Sequence, residues 1–216
     1  VGAKLAFVSR RDDHAFVGVY DAAAKSLTYL DPSVDTDQAP VWSPDGRQVA
    51  FVRIPAAKAE PPFNSKREGP PWSIRVTDVA TGKGREVWRA DIGRGSVWRG
   101  IVASSQLQWG AGDRIVFPWE RDGWTHLYAV GVGGGAATLL TPGNFEVEHV
   151  ALSANRETLA YSSNQDDIDR RHIWKVSVVG GAPVALTSGT AIETAPVVAS
   201  DNRIVGYKAG LTSKAV

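Results

Sequence analysis

One eleven-residue pattern recurs along the chain and limits what it can fold into. Val41-Trp42-Ser43-Pro44-Asp45-Gly46-Arg47-Gln48-Val49-Ala50-Phe51 aligns without a gap on Ala151-Leu152-Ser153-Ala154-Asn155-Arg156-Glu157-Thr158-Leu159-Ala160-Tyr161. Val197-Val198-Ala199-Ser200-Asp201-Asn202-Arg203-Ile204-Val205-Gly206-Tyr207 follows the same template, and the run from Gln108 to Phe117 matches it one residue shorter. The aromatics that close the copies, with Phe7 standing for a fifth whose first strand is missing, are spaced by 44, 66, 44 and 46 residues. A period in this range marks an array of supersecondary units. The long interval holds two additional loops, about 55–71 and 91–105, rich in Pro, Gly, Ser and Arg.

Each unit has a second hairpin. Its first strand reads Ala15-Phe16-Val17-Gly18-Val19-Tyr20, Ser73-Ile74-Arg75-Val76-Thr77-Asp78, His126-Leu127-Tyr128-Ala129-Val130 and His172-Ile173-Trp174-Lys175-Val176 in turn. These runs alternate with period two, are rich in β-branched and aromatic residues, and lead into turns such as Ala80-Thr81-Gly82-Lys83, Gly133-Gly134-Gly135 and Gly180-Gly181. No segment sustains helical periodicity. Four short strands per unit at this period predict an all-β fold, a β-propeller segment of about four and a half four-stranded blades. The expected blades are about 1–31, 40–90, 106–141, 147–188 and an incomplete 195–216, within a larger propeller of seven or eight blades. In Ser43-Pro44-Asp45-Gly46, Pro sets φ at the second turn position and Gly accepts positive φ. Trp42, Trp109 and Leu152 are expected to wedge between neighbouring blades, so we assign the tryptophans to core packing.

Composition excludes several functions. Lys plus Arg total 24 against 23 Asp plus Glu, so the net charge of +1 supplies no pull toward nucleic acid or an anionic membrane. With no cysteine there are no disulfides, thiolate metal sites or cysteine nucleophiles. No apolar run reaches the roughly 18 residues of a membrane helix. The chain has no methionine and opens directly in the strand-like Leu5-Ala6-Phe7-Val8, from which we expect a segment of a longer protein. We expect a periplasmic or secreted setting rather than a cytoplasmic one.

Several motifs resemble the β-propeller of the prolyl oligopeptidase class of serine peptidases, in particular its dipeptidyl peptidase IV-like branch. Trp42-Ser43-Pro44-Asp45-Gly46 followed by Val49-Ala50-Phe51-Val52-Arg53 is similar to that family's blade opening and is shared with TolB-type propellers. Trp119-Glu120-Arg121-Asp122-Gly123-Trp124-Thr125-His126-Leu127-Tyr128 is more specific. So is the run through Leu140-Thr141-Pro142-Gly143, Glu146-Val147, Tyr161-Ser162-Ser163-Asn164 and Arg170-Arg171-His172-Ile173-Trp174 to Gly180-Gly181 and Leu186-Thr187. The resemblance implies a non-catalytic propeller of a bacterial-type peptidase that gates and positions peptide substrate for a C-terminal α/β-hydrolase domain. Peptide and hydrolase domain are thus the implied partners, with edge-to-edge self-association expected of an open blade array. The main rival is a stand-alone TolB-like propeller acting as a protein-binding module. In the dipeptidyl peptidase branch a pair of adjacent glutamates on a propeller insertion holds the substrate amino group. No Glu-Glu pair occurs here, and the stretch Leu30 to Gln38 contains no glutamate.

A hydrolase of this class needs a nucleophile on a Gly-x-Ser-x-Gly elbow, and the sequence has none. Gly131-Val132-Gly133-Gly134-Gly135-Ala136 matches a loose phosphate-binding pattern, but a strand-like run follows it rather than a helix, so it reads as a hairpin turn. His14, His126, His149 and His172 are scattered, and Asp166-Asp167-Ile168-Asp169 lacks the Gly and terminal Glu of a calcium loop. We therefore expect no metal, no cofactor and no catalytic residue. Glu120, Arg121 and Arg171, in the loops shared with the family, are the candidate substrate-binding residues. The competing reading makes them surface charges or an Arg–carboxylate strut between hairpins.

Overall fold

The computed structural model describes residues 3–56 and 68–210, so most of the 55–71 insertion lies outside the described residues. Among them every regular element is a strand. The chain divides into two compact units, one running through Trp98 and including the turn 130–136, the other comprising the remainder from Arg99.

In the first unit, β1 (Lys4–Arg10), β2 (Ala15–Asp21) and β3 (Ser26–Tyr29) form an antiparallel three-stranded blade. β4 (Thr36–Trp42), β5 (Gln48–Ile54), β6 (Ser73–Asp78) and β7 (Gly84–Arg89) form a four-stranded one. A single parallel bridge, Ala15 to Thr36, joins the two hydrogen-bond ladders. Val17, Val19 and Leu30 of the first blade pack against Val49, Phe51 and Val79 of the second, with Trp42 set against the same cluster. Sequestering these branched and aromatic side chains supplies the main driving force for stacking the blades.

The second unit contains β8 (Gln108–Gly110), β9 (Arg114–Trp119), β10 (His126–Gly131, whose last two residues are counted with the first unit) and β11 (Thr138–Leu139) in one antiparallel sheet. A second sheet holds β12 (Val147–Leu152), β13 (Thr158–Ser163), β14 (His172–Ser177) and β15 (Val184–Ala185). β16 (Ile192–Val198) and β17 (Ile204–Ala209) form a final pair. Val116, Leu127, Ala129 and Leu140 share one core with Val147, Leu159, Tyr161, Trp174 and Val176, and Leu152 packs against it.

The recurring motif is a turn with a built-in side-chain brace. The Ser43 hydroxyl donates to Asp45 Oδ1 at 2.7 Å and accepts the Gln48 N–H at 2.9 Å, while Gly46 takes φ of 70°. In the copy at Ser153, the hydroxyl bonds Asn155 Oδ1 at 2.6 Å and accepts the Thr158 N–H at 2.9 Å. Here the left-handed position is filled by Arg156 at φ 62°. Its carbonyl accepts the Ala111 N–H at 2.7 Å, and its guanidinium donates to the Trp109 carbonyl at 3.0 Å, which ties this turn to the preceding sheet. Asn202, at φ 64°, takes the next turn in the same way, its Oδ1 accepting the Ala154 N–H at 3.1 Å. Two first strands carry a bulge at an Ala-Pro pair. Ala39 and Ala195 sit at φ 54° and 49°, where the ladders of β4 and β16 slip register.

Candidate functional site: the loop-bearing ends of the sheets

Strands alternate in direction within each blade. The loop from second to third strand and the crossover from fourth strand to the next first strand therefore leave from the same end. That end is rich in charge and loop length, whereas the opposite end carries short turns.

In the first unit this end holds a buried ionic network. Asp37, fully buried at the start of β4, receives Arg53 Nε at 2.7 Å and Arg53 Nη2 at 2.8 Å. Arg53 also reaches the carboxylate and carbonyl of Asp31, and Arg75 donates to the same Asp31 carboxylate. Burial, the largest influence on Asp37, raises its carboxyl above the ordinary value against the pull of Arg53. Burial likewise works against the charge of Arg53, but the hydrogen bond and charge of Asp37, with the charge of Asp31, hold its guanidinium above the ordinary value. Asp31, at φ 47°, lies between the two blades and is braced by the Gly82 carbonyl, which accepts its N–H at 2.8 Å. Beside the network, residues 91–98 fold onto Trp72. Trp72 Nε1 donates to the Gly95 carbonyl at 3.1 Å, and its ring lies 4.9 Å from Trp88 and 4.5 Å from Trp98.

In the second unit, Glu120 and Arg121 open the loop between β9 and β10. Arg99 Nε lies 3.9 Å from Glu120 Oε2, and the Arg121 guanidinium carbon stands 5.2 Å from the centre of the Trp119 ring, within cation–π range. Arg171 closes the corresponding loop of the next sheet. It donates to Glu148 Oε1 from Nε at 2.8 Å and from Nη2 at 2.7 Å, and this hydrogen bond holds its guanidinium above the ordinary value. The structure thus makes Arg171 a strut from the β13–β14 loop to β12. It pairs with neither Glu120 nor Arg121. The same loop is pinned to β16, because the Arg171 carbonyl accepts the Glu193 N–H at 2.8 Å and His172 Nδ1 meets Glu193 Oε2 at 2.8 Å. A cleft of about 370 Å³ opens beside it, walled by Phe145, Asn164, Asp166, Asp167 and Ile168. Among the described residues no group of three or more His, Asp or Glu side chains is arranged to hold a metal ion.

Asp37 and Glu193 escape the sequence reading, although a signal for them exists. Asp37-Gln38-Ala39-Pro40-Val41 and Glu193-Thr194-Ala195-Pro196-Val197 place an acid at the same point of the same bulged strand. His126 escapes it too. It is fully buried, its Nδ1 lies 3.4 Å from the Thr141 hydroxyl, and its Nε2 has no hydrogen-bond partner.

Blades of four antiparallel strands joined by loops at alternating ends define a β-propeller segment. Residues 74–209 match the model of the dipeptidyl peptidase IV N-terminal region. The chain belongs to that family. A curated protein named "Probable dipeptidyl peptidase 4", from Emericella nidulans, is 39% identical over 59 residues, which are 27% of this chain and 8% of the relative. The stretch shared with that relative is thus a small part of its length. A puromycin-hydrolyzing peptidase of Mycobacterium tuberculosis superposes with a TM-score of 0.60 at 17% identity, over 95% of this chain and 35% of that structure. TolB from Acinetobacter baumannii superposes with a TM-score of 0.58 at 15% identity, over 99% of this chain and 49% of that structure. At these identities the structural likeness speaks for the fold alone.

Proposed function

We propose that this segment is the non-catalytic propeller of a serine-type exo- or oligopeptidase and that it gates and positions peptide substrate for an α/β-hydrolase domain C-terminal to it. The observation that carries this reading is the family match over residues 74–209. The chain itself has no nucleophile elbow, so bond cleavage falls to the hydrolase domain. Loops held on rigid sheets suit substrate positioning, because the scaffold fixes side chains that the loop tips present.

In this reading Glu120, Arg121 and Arg171 contact peptide from the loop-bearing ends of their sheets. Glu120 offers a carboxylate to a substrate cation. Arg121 and Arg171 offer guanidinium groups to peptide carbonyls or a terminal carboxylate. Each already has an intramolecular companion that fixes its position. The test is the native gene product containing this segment, assayed with chromogenic dipeptide and longer peptide substrates. Glu120→Gln, Arg121→Ala and Arg171→Ala are expected to raise KM several-fold with little change in kcat, the mark of lost uniform binding. A gene product with no hydrolase domain, or variants that leave KM unmoved, overturns the assignment. The second reading is a stand-alone TolB-like propeller acting as a protein-binding module; the shared fold over 99% of the chain is compatible with it, and a gene product without the hydrolase would bring it forward.

A further inference from the structure

His126 is the first residue of β10 and has no exposed surface. The ring packs edge-on against Phe145 at 5.2 Å between centroids. Its Nδ1 faces the Thr141 hydroxyl, which itself accepts the Leu127 N–H at 2.9 Å. That engaged oxygen has its proton left to give, and Nδ1 is placed to take it as an acceptor. The neutral ring then carries its own proton on Nε2, the atom that is buried without a hydrogen-bond partner. A buried donor left in this state is costly, about 1–3 kcal/mol, and its persistence calls for an account.

The neighbour of Nε2 supplies one. Asp122 Oδ2 stands 3.9 Å from it, beyond hydrogen-bonding distance, while Asp122 Oδ1 accepts the Trp124 N–H at 3.1 Å. Asp122 is half-exposed and lies in the loop that also carries Glu120 and Arg121. Among the described residues it is the one charged group acting on His126. The crossover 140–145 faces the ring with Thr141, with the Gly143 backbone, which like Asp122 favours the charged ring, and with Phe145, none of them titratable in this range.

We propose that His126 is a proton-operated fastener for the loop 120–125. The neutral ring leaves Asp122 at arm's length. On protonation Nδ1 gains a hydrogen, the Thr141 hydroxyl turns from donor to acceptor, and Nε2 carries a full share of positive charge toward Asp122. The carboxylate then closes to hydrogen-bond distance and draws the loop onto β10. Charge-assisted pairs of this kind are shorter and stronger than neutral ones. The fastener engages on the acid side of the ordinary imidazole value of 6.5, because burial disfavours the charged ring. For function, the device rests on the substrate-positioning reading, since it would regulate the presentation of Glu120 and Arg121. The movement itself does not depend on that reading.

The experiment is an NMR titration of the 216-residue chain without peptide, following the His126 ring and the backbone amides of residues 120–125. In the wild type, the loop amides are expected to shift with one midpoint, shared with the ring and lying below 6.5. In Asp122→Asn the ring still titrates but the coordinated loop shift is lost, and in His126→Gln it is lost as well. Loop amides that stay still while the ring titrates overturn the proposal. So does a loop shift of equal size in Asp122→Asn, or a ring that stays neutral until the chain unfolds. Failure of the peptidase reading would leave all of these readouts intact.

Discussion

Asp37 lies wholly inside the first unit with both carboxylate oxygens on the guanidinium of Arg53, at 2.7 and 2.8 Å. The pair ties β4 to β5 and, through Asp31, to the preceding blade. Removing one partner strands the other charge in a low-dielectric setting. Arg53→Met is therefore expected to destabilise the chain by about 3–5 kcal/mol, read as a lower urea midpoint. Arg53→Met combined with Asp37→Leu should recover much of that loss, since the stranded carboxylate is gone. A double variant as unstable as the single one would mean that the pair contributes net stability rather than mere mutual compensation.

The turn at Arg156 sets two effects of similar size against each other. Its backbone at φ 62° is strained for any residue with a Cβ, by about 1–2 kcal/mol. Its guanidinium bond to the Trp109 carbonyl, at 3.0 Å, contributes about 1 kcal/mol. Arg156→Ala keeps the strain and loses the bond, so its urea midpoint should fall. Arg156→Gly loses both and should lie close to the wild type. If alanine and glycine variants match, the left-handed strain is not what distinguishes this turn from the one at Gly46.

These two cases show what the sequence made legible. The repeat located the strands because a blade's hairpins obey local rules, period two along each strand and Ser-Pro-Asp-Gly chemistry between them. Arg156 and Asn202 filled the glycine position of the template, and the sequence alone did not reveal that they would reach across to the preceding sheet. The ionic network was hidden for a related reason. Asp31, Asp37, Arg53 and Arg75 come from separate strands and crossovers, and charge in a sequence reads as surface until tertiary packing buries it. Of the three candidate site residues, Arg171 is bonded to Glu148, a pairing across separate strands that no local pattern in the sequence announces.

His126 links stability to pH. Burial lowers its imidazole below the ordinary 6.5, with Asp122 pulling the other way. Between the folded and unfolded values the unfolded chain binds a proton that the native chain does not. This contribution to stability is complete above 6.5, is lost as pH falls toward the folded value, and levels off below it, with a slope of at most about 1.4 kcal/mol per pH unit. The urea midpoint should therefore drop between pH 7.5 and the acid range. His126→Gln should flatten that drop, and an equal fall in both proteins would assign the effect to other groups.

β5, β9 and β13 are almost entirely buried, whereas β1 and β17, their counterparts in the repeat, contain no fully buried residue. Leu5 is 62% exposed, Val205 61% and Tyr207 58%. A strand with open backbone groups and apolar side chains recruits another strand. The 216-residue chain is therefore expected to self-associate in a concentration-dependent way, seen as a rising weight-average mass in sedimentation equilibrium. Lysine is a residue that natural edge strands use against such pairing. Val205→Lys with Tyr207→Lys should lower the association at least several-fold, because both positions are solvent-facing and the change leaves the buried clusters of each unit untouched. Addition of Leu5→Lys should lower it further if β1 takes part. A monomer at every concentration tested would show that these edges are covered in solution, and an unchanged association in the triple variant would place the contact elsewhere on the chain.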